Sequence, residues 1–162
     1  MIIMGFPGVG KTTFAKKYPD LAIDLESSNF CYTKESLQKL RAKGLNNENI
    51  KGNPNRVKVK NWRKLYLKSI EENLKKYKFI FTSQDSSIIE HFKNENILII
   101  LPQPQDIEIY KNRYENRGNT PEWIDSVLPF FDNLLEYPDN YKECQIIHIS
   151  GNETIEDVLK DF

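Results

Sequence analysis

At 162 residues and 19.1 kDa, the chain is the size of one well-buried domain, in which a globular fold hides roughly 70% of its unfolded surface. Its composition, 39% hydrophobic and 28% charged, excludes wholesale disorder, and no apolar run approaches the roughly 20 residues of a membrane span. The zero net charge conceals a split: residues 1–81 hold 17 Lys and Arg against 7 Asp and Glu, and residues 82–162 hold 6 against 16.

In chain order, Ile2–Met4 reads as a buried strand. It runs into Gly5 and Pro7 with no basic leader, so it is not the pattern of a signal peptide. Gly5–Gly10 is a glycine loop, and Lys11–Tyr18 a helix stopped by Pro19. Ala22–Asp24 is a second strand, and residues 34–43 a helix ended by Gly44. The Asn-rich stretch Asn46–Lys60, with Gly52 and Pro54, reads as a mobile connection. Trp62, Leu65, Tyr66, Ile70 and Leu74 recur at helical spacing through about Lys76, and the stripe Trp62, Tyr66 and Ile70 reads as core packing before a base-stacking platform.

Phe79–Phe81 and Ile97–Leu101 are further strands on either side of a helix near Asp85–Lys93. A helix over roughly Asp106–Arg117 follows Pro102 and Pro104, and another begins at Pro121, capped by Thr120, and runs to about Leu135. Cys144–Ile149 is the last strand and Glu153–Leu159 the last helix. Strands alternating with helices predict an α/β fold: one domain of three layers, with a five-stranded parallel sheet flanked by helices. Cys31 and Cys144 fit no metal spacing and read as reduced, small hydrophobes of a cytoplasmic protein. His91 and His148 have no partner by spacing, and each reads as a satisfied surface or strand histidine.

One motif carries chemistry. Gly5-Phe6-Pro7-Gly8-Val9-Gly10-Lys11-Thr12 has two glycines separated by four residues and followed by Lys-Thr, the phosphate-binding P-loop pattern. Glycines let successive N–H groups face one concavity, and the helix that follows adds its positive end. Lys11 then belongs near the β and γ phosphates of a nucleoside triphosphate, and the Thr12 hydroxyl is a ligand for Mg²⁺. Gly5, Pro7, Gly8, Val9, Gly10, Lys11, Thr12 and Thr13 are the candidate ATP-binding residues.

With two further segments, Asp24-Leu25-Glu26-Ser27-Ser28 and Arg113-Tyr114-Glu115-Asn116-Arg117-Gly118, the chain resembles the small P-loop nucleotide kinases of the adenylate kinase-like group, with a likeness to uncharacterised phage and bacterial members. That resemblance implies an acceptor-binding region over about 25–76 and a short lid over about 113–121. Asp24, at the carboxyl end of its strand, is the candidate for the acceptor hydroxyl and a second candidate for holding Mg²⁺. Glu26 stands next for the hydroxyl, and Ser27 and Ser28 for hydrogen bonds to the acceptor. The alternative for Asp24 is a cap on the following turn. Arg113 and Arg117, four apart and so on one helix face, are the candidate lid arginines, with Gly118-Asn119-Thr120 as a flexible tip. Their alternative is an exposed pair bridged to carboxylates such as Glu108 or Glu115. Ser150-Gly151-Asn152 occupies a loop that touches adenine in similar folds, or is simply a turn. Arg41, Arg56 and Arg63 are rival grips for an acceptor phosphate. Asp85 stands too far past its strand to be a clear metal-supporting aspartate and fits equally as a helix cap.

Three functions follow as expectations. The first is an ATP-dependent kinase of a nucleoside, a nucleotide or a similar small acceptor. The second turns the same chemistry on a nucleic acid, tracked by ten basic residues between Lys34 and Lys64. The third is an ATP-binding regulator or slow NTPase.

Overall fold

Four of the five strands are nearly unbroken apolar runs, as a parallel sheet covered on both faces requires. In the computed structural model they are β1 (Ile2–Gly5), β2 (Ala22–Leu25), β3 (Phe79–Thr82), β4 (Ile97–Pro102) and β5 (Gln145–Ile149). The structure describes residues 1–135, 141, 144–160 and 162. All neighbours pair in parallel, in the order β2-β3-β1-β4-β5, with Ile2 opposite both Ile80 and Ile97. Helices flank this sheet, so the expected α/β architecture is the one observed.

The core lies along the three inner strands. Ile2, Ile3, Met4, Ile80, Phe81 and Leu98 through Leu101 are all wholly buried, each contributing about 1.5–3 kcal/mol relative to exposure. α1 (Lys11–Lys17) presses Phe14 edge-on to Phe79 and Phe81. α5 (Trp62–Leu74) buries Tyr66 and Ile70 completely and packs Trp62 against the core, the role expected of those three, while Leu65 is exposed. α6 (Ser86–His91) starts at an Asp85 cap and buries Ile88 and Ile89. α7 (Ile107–Asn116) buries Tyr110 and Tyr114. α9 (Ile155–Leu159) opens with a capping box made by Thr154 and Asp157.

Three local differences have physical causes. The segment read as a mobile connection contains a helical turn, α4 (Asn47–Ile50), capped by the Asn46 side chain on Asn49 N–H at 2.8 Å. Ile50 packs with Leu37 and Leu40 of α3 (Lys34–Ala42) in a small second cluster. Beyond it, a bridge pairs Tyr32 with Lys58. The Asn residues there serve as caps as well as loop formers. A one-turn helix, α2 (Ser28–Cys31), follows β2 where none was expected. The helix predicted over Pro121–Leu135 ends as α8 (Pro121–Val127) and continues as a tighter 3₁₀ segment over Leu128–Asn133. Pro129 removes the N–H that an α-helix would need there.

Among the described residues, no helix is long and apolar enough to cross a membrane. No disulfide joins Cys31 and Cys144, both half-buried.

Candidate active site

Strand order sets the place of the site. From β1 the chain crosses to β2 on one side, and from its neighbour β3 it crosses to β4 on the other, so a crevice opens beyond the ends of these strands. A cleft of about 850 Å³ occupies that position. Its walls include Gly5 through Gly8, Gly10 through Thr13, Asp24, Glu26, Ser27, Ser28, Arg113 and Arg117. The glycine loop, the acidic segment after β2 and the two arginines, widely separated in sequence, thus share one cavity. Val9 is the exception among the loop residues, since its side chain is buried in the core.

The loop is defined by where its backbone groups go. Gly8 and Gly10 have φ of 87° and 103°, a left-handed conformation that favours glycine. A Cβ on Gly8 would also press the rings of Tyr110 and Tyr114. Every carbonyl from Gly5 to Gly10 has a donor. Lys11 Nζ donates to Gly5 O at 2.6 Å and Phe6 O at 3.1 Å. Tyr114 Oη donates to Pro7 O at 2.9 Å, and Arg113 Nη1 to Gly8 O at 3.3 Å. Ile155 N donates to Val9 O at 3.2 Å, and Phe14 N to Gly10 O at 2.9 Å. By contrast, the N–H groups of Gly8, Gly10, Lys11, Thr12 and Thr13 have no acceptor among the described residues. Donors that have lost every competing acceptor and sit at a helix start form a cradle for an anion.

Lys11 completes the cradle with positive charge. Burial lowers its pKa to about 8, against the raising influence of Asp24 and Glu26. Next along α1, Thr12 Oγ1 donates to Asp24 Oδ2 at 2.5 Å, linking the loop to the end of β2. Asp24 therefore faces the cleft beside the cradle. Tyr66 fixes that corner from beneath: its hydroxyl donates to Leu25 O at 2.8 Å and accepts from Ser83 N–H at 3.1 Å. Burial pushes the Tyr66 phenol up to about 12, so it stays neutral.

The two arginines of α7 differ in their contacts. Arg113 lies against the Tyr110 ring, 4.6 Å from its centroid, and donates to the carbonyls of Gly8 and Gly151. It ties the glycine loop to the turn after β5. Arg117 stands over the Tyr114 ring at 5.2 Å and donates to Asn119 Oδ1 at 3.2 Å. Neither is paired with Glu108 or Glu115. Nothing local in the sequence assigns a role to Tyr110 or Tyr114, although Tyr110, Arg113, Tyr114 and Arg117 recur at helical spacing and share a face. Gly118-Asn119-Thr120, the expected lid tip, is docked in this structure, with Asn119 buried.

Ser150-Gly151-Asn152 does not line the cleft; Gly151 is buried, and a Cβ there would run into Ile109. Of the three rival arginines, Arg56 lines the cleft, its guanidinium 4.0 Å from the Tyr32 ring centroid. Arg41 bonds Asn47 Oδ1, and Arg63 pairs with Asp85 at 2.9 Å. Asp85 is thus a helix cap and ion-pair partner outside the cleft wall. Hydrogen bonds from Ser87 and Arg63 outweigh its burial and hold its carboxyl below the usual range. His91 meets Glu71 at 2.6 Å on the surface, and His148 lies on β5 against Pro102 O.

No group of three or more metal-ligating side chains occurs among the described residues. Mg²⁺ does not need one when phosphates and water supply most of its six positions. A hydroxyl and a carboxylate already in contact at the mouth of the cradle fit that requirement, so Thr12 and Asp24 are the residues that could hold it.

Neither a protein-family model nor a curated protein matches the sequence. Among solved structures, the chain is similar to the unliganded crystal structure of a sugar kinase from Janibacter sp. HTCC2649. The match covers 99% of this chain and 89% of that one, at 16% identity and a TM-score of 0.53. It also matches an uncharacterized protein from Eubacterium ventriosum ATCC 27560 over 99% of this chain and 93% of that one, at 15% identity and a TM-score of 0.48. The first likeness is one of fold: a kinase-like, all-parallel α/β domain.

Proposed function

We propose that the protein is an ATP-dependent phosphotransferase, passing the γ-phosphoryl group to a nucleoside, a nucleotide or a similar small acceptor. The observation that carries this reading is the loop whose carbonyls are all engaged while the N–H groups of Gly8, Gly10, Lys11, Thr12 and Thr13 remain available around the Lys11 ammonium. The fold shared with a sugar kinase supports it.

In this reading the cradle and Lys11 hold the donor phosphates. Thr12 and Asp24 would hold Mg²⁺, which would supply positive charge to offset that of the phosphates. Asp24 orients the acceptor hydroxyl and receives its proton as the oxygen attacks. A bond forms from that oxygen to the γ phosphorus, the bond from the γ phosphorus to the bridging oxygen breaks, and ADP leaves. Arg117 faces the transferred group, and Arg113 keeps the loop in shape. Such chemistry is mostly positioning and electrostatics, so a sparse set of side chains suffices.

Arg56 favours an acceptor that carries its own phosphate. Its guanidinium is committed to one Nε–H bond, to Asn53 O at 3.1 Å, and to the Tyr32 ring. Lys51, also in the cleft wall, is already paired with Glu26 and Glu48.

ADP release from Mg-ATP, screened against nucleosides, nucleoside monophosphates, sugars and short DNA or RNA oligomers, tests the reading. Stimulation by a monomer class is expected. Stimulation by oligomers alone, lost at high salt, would make the basic stretch Lys34–Lys64 the acceptor-binding element instead. A flat panel over a low basal rate would overturn the kinase reading in favour of a regulator.

A further inference from the structure

Arg117 and Glu26 both line the cleft, and an unbroken line of contacts joins them. Arg117 Nη2 donates to Asn119 Oδ1 at 3.2 Å, and Asn119 Nδ2 donates to Glu48 Oε2 at 2.8 Å. Glu48 Oε2 meets Lys51 Nζ at 3.1 Å, and the same ammonium meets Glu26 Oε1 at 3.2 Å. A parallel bond runs from Asn49 Nδ2 to Gly118 O at 2.8 Å. Trp123 of α8 closes against Gly52, where an added Cβ would lie 3.4 Å from its own. The loop after α7 is therefore fastened to α4 by two side-chain amides, and α8 meets the turn after α4 through Trp123.

We propose that Asn119 and Glu48 are positioning residues that hold Arg117 at the transferred phosphoryl group, so that α4 supports the lid from the acceptor side. This rests on the phosphotransfer reading. Asn119 is 6% exposed, and both ends of its amide are used, which fixes its orientation. An amide oxygen orients a guanidinium without cancelling its charge. A carboxylate in its place would neutralise the group that a phosphate needs. The other end of the amide requires an acceptor, and Glu48 supplies one whose own charge is balanced by Lys51. Arg117 has no carboxylate partner among the described residues. Its charge is thus kept for the substrate while its place is set by Asn119.

The test uses the full-length protein and two readouts, one of which needs no turnover. Phenylglyoxal modification, followed residue by residue by peptide mass spectrometry, reports how freely Arg117 moves. In Asn119→Ala, Arg117 should label about threefold faster while Arg113 is unchanged, and kcat should fall about tenfold with the KM for ATP within about twofold. Glu48→Ala should behave alike. Glu48→Gln keeps an oxygen for the Asn119 amide and should restore both readouts; it also keeps the comparison open if Asn119→Ala does not fold. Unchanged Arg117 labelling in Asn119→Ala would overturn the proposal. So would Glu48→Gln as damaging as Glu48→Ala, which would place the effect in the Lys51 ion pair. If no acceptor supports turnover of the native protein, the phosphotransfer reading fails, and with it the role at the phosphoryl group. The labelling pattern then still decides whether the two residues hold Arg117.

Discussion

Raising the pH from 7 to 9 should weaken nucleotide binding by discharging Lys11. In the ligand-free protein burial lowers its pKa to about 8, although Asp24 and Glu26 work to raise it. Phosphate oxygens entering the cradle add negative charge beside the ammonium and return its pKa upward. The protein that binds is therefore the one with Lys11 charged. That fraction is about nine-tenths at pH 7 and about one-tenth at pH 9, so the Kd for ADP or ATP should rise about tenfold, or about 1.4 kcal/mol. The terminal phosphate of the nucleotide loses its last proton near pH 6 and adds little above pH 7. The Met1 amine also has a lowered pKa, but it bonds Lys78 O at the opposite end of β1. Isothermal titration in two buffers of different ionisation enthalpy reads both quantities. Binding at pH 9 should take up close to one proton, and Lys11→Arg, which stays charged, should remove the pH dependence. A Kd that is flat from pH 7 to 9, with no proton uptake, would refute the reasoning. The same shift bears on folding. The unfolded chain holds the Lys11 proton between about pH 8 and 10.5 while the folded one has lost it, so this residue's contribution to stability rises with pH across that window.

Three further outcomes are expected. Asp24→Ala should lower acceptor phosphorylation by about 10²-fold or more, far more than it lowers ATP affinity; intact turnover would remove Asp24 from its role. Arg56→Gln should raise the KM for a phosphorylated acceptor about tenfold and leave that of an unphosphorylated analogue unchanged, in steady-state kinetics against both. Tyr66→Phe leaves Leu25 O and Ser83 N–H without their shared partner, and urea unfolding should show a loss of about 2 kcal/mol.

Much of this fold is legible in the chain because each strand is a short apolar run bounded by a turn or a helix signal. The strand limits fall within about a residue of those expected, a margin set by fraying at element ends. The spacing also brings out the glycine loop, because the residue types it needs are few. Strand order is another matter. That β3 lies between β1 and β2 depends on crossovers and packing, which leave no local mark. The supports of the site are harder still to read. Tyr110 and Tyr114 look like any aromatic helix stripe, and only the fold sets their ring edges against Gly8. Glu48 and Asn119 are 71 residues apart, each in a segment whose composition signals a loop. Asn46 reads as a loop former, whereas Ile50, finding Leu37 and Leu40 to pack against, makes a helical turn worth capping. Arg113 was legible as one of a pair, but its bonds to two backbone carbonyls follow from the bend of the loop.

The central claim is most directly tested by the fate of the γ-phosphoryl group. With Mg-ATP and the acceptor that best stimulates ADP release, mass spectrometry of the acceptor should show one phosphoryl group gained for each ADP formed, with Asp24→Ala abolishing the gain. ADP accompanied by inorganic phosphate, with every acceptor recovered unchanged, would contradict the account.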